Sequence, residues 1–413
     1  MSRFIFTVFV LLATSVAVAG DSWPQFRGPT GDGLSDAVGL PLKWSETENV
    51  VWKTPIHGRA WSSPVVLDNQ IWFTTAPEDG SENSVLCVAL DSGRIVHDIK
   101  LFTGNEIVQE MIALNTFASP TPVIEDGRVW VHFGVYGTAC LDTLTGKVLW
   151  TRRDIHCDHF RGPGSSPILC DDLLIFHMDG IDVQYIIALD KNTGATRWKT
   201  DRSLDLEAYV PDQRKAYSTP LLIEYDGRRQ LLSTGSEASY AYDPASGKEL
   251  WRVRHDGYSN ASRPLFRQGL AYLNTGFGKA HLWAVRCDGT GDVTDTHVEW
   301  TLTKSVPCKP TPVLVDDLLF MCDDNGVASC VEATTGEVVW QERIGGKHSA
   351  SPIYAEGRVY FFSHEGETTV VAADREFKEL ARNQLEEGFM ASAAVVGKAL
   401  ILRTTKALYR IEK

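Results

Sequence analysis

Several signatures that announce a function are missing from this 413-residue chain. It contains no G-x-S-x-G and no glycine-rich loop ending in Lys, so neither a serine-hydrolase elbow nor a phosphate cradle is encoded. No C-x-x-C occurs and no two cysteines are adjacent, which removes thioredoxin-like and zinc-ribbon readings. Positive charge is scarce: 40 Lys and Arg stand against 53 Asp and Glu, a formal net charge of −13. A nucleic-acid binder normally carries a basic face, so that class is excluded. Past the N-terminus no apolar run reaches the ~18 residues of a spanning helix. Apolar residues still make up 43% of the chain, enough to fill a core and to exclude disorder as the main state.

The start of the chain reads as an export leader over residues 1–19. Arg3 supplies the positive end, Phe4–Ala13 is a short apolar stretch, and Ala17-Val18-Ala19 is an A-x-A cleavage pattern. The expected mature protein is periplasmic or secreted, with no membrane span. The eight cysteines are scattered, and Cys140 and Cys330 occupy a repeat position filled elsewhere by Ala, so small buried residues are expected there. Export permits bridges, and Cys322 with Cys330 is the pair to examine.

What the chain has in quantity is repetition. A small residue, Pro and two apolar residues recur as Ser63-Pro64-Val65-Val66, Thr121-Pro122-Val123-Ile124 and Ser166-Pro167-Ile168-Leu169. The series continues at Thr219-Pro220, Arg263-Pro264, Thr311-Pro312 and Ser351-Pro352, with a degenerate copy at Ser392-Ala393. The prolines fall about 40–58 residues apart, the spacing of propeller blades. A second signal, A-x-D-x-x-T-G-x-x-x-W, follows each first one. Its clearest copies are Cys140 to Trp150, Ala188 to Trp198, Ala241 to Trp251 and Cys330 to Trp340. Asp and Thr side chains cap turn amides, Gly accepts positive φ, and the Trp presents a large apolar face to the neighbouring unit. The Ala89 copy lacks the Trp, the copy from Ala284 to Trp300 is stretched, and the copy at Ala372 ends on Leu380.

Each unit reads as four antiparallel strands, and the last has only three: Ala394–Val396, Ala399–Thr404 and Ala407–Ile411. The run Asn49–Thr54 resembles a Trp strand with no unit before it. Pairing the two ends completes the ring and removes its exposed edges. The expected fold is all-β: an eight-bladed β-propeller over residues 49–413, closed by its terminal strands, after a 20–48 extension. Glu106–Leu114, with apolar residues at helical spacing, reads as a short helix on a loop.

The Asp, T-G and Trp repeat resembles the tryptophan-docking repeat of quinoprotein alcohol dehydrogenases and of the wider PQQ-like propeller family (PQQ is pyrroloquinoline quinone). That family includes the propeller lipoprotein of outer-membrane assembly. Trp23-Pro24-Gln25-Phe26-Arg27-Gly28-Pro29 and the insertion from Gly291 to Trp300 resemble secreted bacterial members. The resemblance covers the whole mature chain. Toward the dehydrogenases it implies PQQ with calcium and oxidation of alcohols or sugars. The vicinal cysteines of those enzymes are missing, however, and their calcium-binding Glu, Asn and Asp have no matching neighbours. The lipid-attachment Cys of the assembly lipoprotein is absent too.

In a propeller, residues just before each inner strand crowd one channel mouth. Here they are Arg59, Trp61, Asn115, Phe117, His159, Arg161, Lys215, Tyr217, Asn260, Arg263, Lys309, Lys347, His348 and Phe389. Cations converging there on an acidic protein favour an anionic ligand, with Trp61 and Tyr217 able to stack on a ring. The alternative is that the cations pair with loop carboxylates such as Asp158, Asp212 and Asp256. His156 and His159 offer a weak metal pair, and Asp288–Asp295 offers either calcium ligands or a plain polar excursion. No metal site is assigned. The preferred function is a non-catalytic binding module for exported or envelope proteins or a small anion. The competing readings are a PQQ-dependent oxidoreductase and a carbohydrate-acting protein.

Overall fold

The computed structural model describes residues 22–105 and 111–413. The leader and residues 106–110 of the expected helix lie outside the described residues, and Met111–Leu114 are not helical, with Ala113 and Leu114 in a turn. Among the described residues the fold is the expected ring of eight antiparallel blades. The second blade shows the pattern: Val123–Glu125, Arg128–His132, Thr138–Asp142 and Val148–Arg152, from the channel outward. Blades one and three to seven span residues 65–103, 168–201, 221–254, 265–302, 313–343 and 353–384. The eighth joins Ala394–Val396, Ala399–Arg403 and Ala407–Ile411 to Val50–Pro55, with Trp52 opposite Arg410 and Thr54 opposite Leu408. Chain start and chain end therefore share one sheet. The buried Arg403 ties that sheet to blade one by donating to the Ser62 carbonyl (2.8 Å), Ser62 Oγ (2.7 Å) and the Thr74 carbonyl (3.0 Å).

The T-G turn works as its chemistry dictates. Asp142 Oδ1 accepts from the Thr145 amide (2.8 Å) and hydroxyl (2.7 Å), and Gly146 adopts φ +70°. Five of these Trp side chains dock on the next blade's turn, as where Trp150 Nε1 donates to the Lys191 carbonyl (3.0 Å) and Trp300 Nε1 to that of Ala333 (3.0 Å). The turn glycine lies under the indole. A Cβ on Gly194 would stand 2.7 Å from the Trp150 ring, and one on Gly247 2.5 Å from that of Trp198. In blade one His97 holds the Trp position opposite Cys87.

Two expectations change. The stretched unit is not a plain excursion: Gly291–Asp292 adds a fifth, parallel strand to blade four beside Trp251 and Arg252, and Asp292 pairs with Arg254 at 3.2 Å. Trp251 is thereby fully buried and donates within its own blade, to Gln230 Oε1 (2.8 Å). The eight cysteines are all free thiols. Cys322 sits opposite Ala328 and Cys330 opposite Phe320, so the register does not face the suggested pair together. No helix among the described residues is long and apolar enough to cross a membrane.

Candidate binding cavity at the open end of the channel

The residue before each inner strand's Pro does more than stay small. Ser63 N–H donates to Thr121 Oγ1 (2.9 Å), Thr121 N–H to Ser166 Oγ (2.9 Å), and Ser166 N–H to Thr219 Oγ1 (3.1 Å). The chain resumes with Arg263 N–H to Thr311 Oγ1 (2.8 Å), Thr311 N–H to Ser351 Oγ (3.0 Å), Ser351 N–H to Ser392 Oγ (2.9 Å) and Ser392 N–H to Ser63 Oγ (3.0 Å). Seven hydroxyls thus stitch neighbouring blades around the axis. Amides at the axis, too far from any partner strand to pair, receive an acceptor from the next blade. The circle is interrupted only where blade five carries Arg263 instead of Ser or Thr.

Arg263 and the N-terminal extension close one end of the channel. Trp23 exchanges two backbone bonds with Val66, and the Pro24 carbonyl accepts from Ile124 N–H (2.9 Å). Arg27, fully buried and at φ +66°, donates to the carbonyls of Asp32 (2.6 Å), Pro312 (2.7 Å) and Pro352 (3.1 Å). Arg263, from the neighbouring blade five, donates to the carbonyls of Phe26 (2.6 Å) and Pro220 (3.1 Å). Leu34–Ser35 then adds a parallel strand to blade seven. Burial lowers the guanidinium of Arg27 to about 9 and that of Arg263 to about 10, and both stay charged at neutral pH. The segment crosses the channel as a stopper.

Above the stopper a cavity of about 410 Å³ opens to solvent, with Phe26 in its lining. Strand geometry places every second residue on the same side. Two positions before the hydroxyl ring, every blade supplies a lining residue: Trp61, Ser119, Gly164, Tyr217, Ala261, Lys309, Ser349 and Met390. Of the candidates, Trp61, Asn115, Arg161, Lys215, Tyr217 and Lys309 line this cavity. Arg59 sits behind Trp61, 5.1 Å over its ring, and donates to the Ala113 carbonyl (2.9 Å). Lys347 and His348 are not in the lining. His348 is buried, three residues before its ring position, with its imidazole 2.9 Å from the Gly345 carbonyl. Arg263 belongs to the stopper and not to the mouth.

The carboxylate alternative is partly realised. Lys215 Nζ lies 2.5 Å from Asp212, and Lys309 is paired with Asp324. Burial nevertheless pulls the Lys215 ammonium below its usual range. Asp256 pairs with Lys279 (2.6 Å), while Asp158 caps the Phe160 amide (2.8 Å). His156 is exposed and His159 buried, so the alternating chain turns them apart. Burial lowers His159 to about 4. Among the described residues no three His, Cys, Asp or Glu side chains converge on a metal position. Asp212 and Asp324 beside the cavity are held by lysines, so they do not form a free carboxylate pair for a calcium ion.

These features define an eight-bladed propeller of PQQ-like repeats whose channel is stoppered at one end. The chain belongs to the family described as outer membrane protein assembly factor BamB, whose pattern matches residues 43–198 and 182–413. It is 23% identical over 200 residues to the outer membrane protein assembly factor BamB of Yersinia pestis, covering 45% of this chain and 48% of that one. The chain thus matches about half the length of this curated relative. Among solved structures it resembles BamB from Moraxella catarrhalis (TM-score 0.63, 13% identity, 87% of this chain and 99% of that one). A europium-containing methanol dehydrogenase superposes with TM-score 0.69 at 11% identity, covering 94% and 90% of the two chains. The quinohemoprotein alcohol dehydrogenase of Comamonas testosteroni gives 0.67 at 10%, covering 96% and 81%. At these identities the likeness to solved structures is one of fold.

Neither the stopper nor the hydroxyl circle was anticipated from sequence. The signal for the circle was present, as Ser or Thr at seven of eight ring positions. The stopper had the W-P-Q-F-R-G-P segment but nothing to say where that segment goes.

Proposed function

We propose that this protein is an exported, periplasmic or secreted propeller that acts by binding. Another exported or envelope protein docks on the open mouth of its channel. The carrying observation is the inequality of the two channel ends. One is crossed by the chain's own N-terminal segment. The other presents Ile112, Leu114 and Phe277, each at least 36% exposed, around an aromatic cavity with Arg161, Lys215 and Lys309. Exposed apolar groups gathered around a concave site mark a place for a partner. The lining cations suit a partner segment that carries carboxylates beside apolar side chains. Family membership supports a place in outer-membrane assembly, the role named for the Yersinia relative.

The test is site-specific photo-crosslinking in the native host. A crosslinker at Phe277 is expected to yield a discrete protein adduct. One at Leu144, 81% exposed on the outer rim, is expected to yield none. Equal adducts from both positions, or none from Phe277, would reject the mouth as the docking face. Osmotic-shock fractionation checks the exported location, and retention in the cytoplasm would reject it.

A further inference from the structure

The hydroxyl circle has a second half to its chemistry. A Ser or Thr hydroxyl accepts through its oxygen and donates through its hydrogen. In the circle every oxygen accepts a neighbouring blade's amide. Among the described residues none of these seven hydroxyls donates to a protein acceptor. Six of them, Ser63, Thr121, Ser166, Thr219, Ser351 and Ser392, line the open cavity. All six residues are at most 5% exposed. Six O–H donors therefore surround one axis at the cavity floor, their oxygens already committed and their hydrogens not.

We infer that the floor of the mouth cavity is a receptor for a small monocarboxylate with an apolar body, its carboxylate held in the hydroxyl circle. A carboxylate offers two oxygens with about four acceptor directions, which suits a circle of donors. The circle is neutral, and the lining lysines Lys215 and Lys309 are held by Asp212 and Asp324, so the floor meets an anion with hydroxyl dipoles, which suits one negative charge over two. The second ring supplies the apolar enclosure: Trp61, Tyr217 and Met390, with Tyr258 and Phe277 beside them. The volume of about 410 Å³ lies within the range of small-ligand pockets. This reading rests on the mouth being the binding end, but it concerns the floor of the cavity and a ligand of a different kind from the docking protein.

The experiment is a ligand-observed NMR titration of the purified chain with benzoate, benzyl alcohol and inorganic phosphate. Benzoate is expected to saturate with Kd of about 1 mM, a modest affinity suited to a fragment. Benzyl alcohol, with the same body and no charge, is expected to bind at least tenfold more weakly, and phosphate more weakly than benzoate. Equal binding of benzoate and benzyl alcohol would leave only an apolar hole and overturn the inference. So would tighter binding of phosphate, or no saturation by 20 mM benzoate. Thr121→Val, which removes one donor, is expected to weaken benzoate several-fold, and Thr121→Ser, which keeps it, is expected to restore binding. The comparison among the three compounds on the unaltered protein stands even if Thr121→Val folds poorly. The titration needs no partner protein. Benzoate binding without a Phe277 adduct would sink only the docking reading, and the reverse would sink only this one.

Discussion

The two ends of the channel are built from similar parts used in opposite ways. At the stoppered end, Arg27 and Arg263 are buried and donate to backbone carbonyls of the blades and of the stopper itself. At the open end, the lysines lie beside carboxylates, the hydroxyl hydrogens have no protein acceptor among the described residues, and aromatic faces line the opening. One end uses cations to satisfy orphaned carbonyls, which rigidifies it. The other leaves donors and apolar surface available, which is what a binding end requires. A shared polar vocabulary therefore does not imply a shared role. Which groups are already satisfied decides.

The largest predicted contrast between the ends comes from pH. Burial lowers His159 and His255, both in segments leading to the mouth, to about 4 in the folded protein. Their unfolded value is near 6.5, so the unfolded chain binds more protons between those limits. The stability they contribute is complete above pH 6.5 and is lost as pH falls toward 4, on the order of 3 kcal/mol for each. The stopper's arginines do not titrate in that window. Hydrogen exchange at pH 4.5 is expected to release amides near His159 and His255 before those of Trp23 and Gly33. Simultaneous release would show that the ends are not independent.

Next in size is Arg27→Met. It removes the shared donor from the Asp32, Pro312 and Pro352 carbonyls and is expected to cost on the order of 3 kcal/mol in a guanidinium melt. A loss below about 1 kcal/mol would mean that the stopper does not hold the ring. Thr121→Val probes the circle. It orphans the Ser63 amide and is expected to cost about 1–2 kcal/mol, while Thr121→Ser stays near zero. Phe277→Ala at the mouth is expected to change stability by less than about 0.5 kcal/mol, since the side chain is part-exposed. It should still diminish capture of the docking partner. A large stability loss there would make Phe277 a packing residue.

The repeats carry the fold openly because their physics is local. The Asp142 turn, the glycine beneath Trp150 and the alternating strands each need only a few consecutive residues. The mouth was legible in outline for the same reason, since Trp61, Tyr217 and Lys309 sit at a fixed offset before the inner strands. Arg263 occupies a ring position like Thr219 or Thr311, and no neighbouring residue tells that its side chain turns to the stopper. His348 falls one step out of the alternation and is lost to the wall, a shift that only the loop path reveals.

By itself the sequence determined eight blades, their tryptophan docking and the joining of the two ends, because period, turn chemistry and a missing fourth strand are properties of the chain in order. Only the tertiary structure decided that the N-terminal segment crosses the axis, that Gly291–Asp292 covers blade four and that seven hydroxyls form a circle. Those contacts join residues as many as 329 positions apart, as Ser63 and Ser392 are. They exist only because closing the ring brings eight similar strands to one axis, where each amide must find a partner.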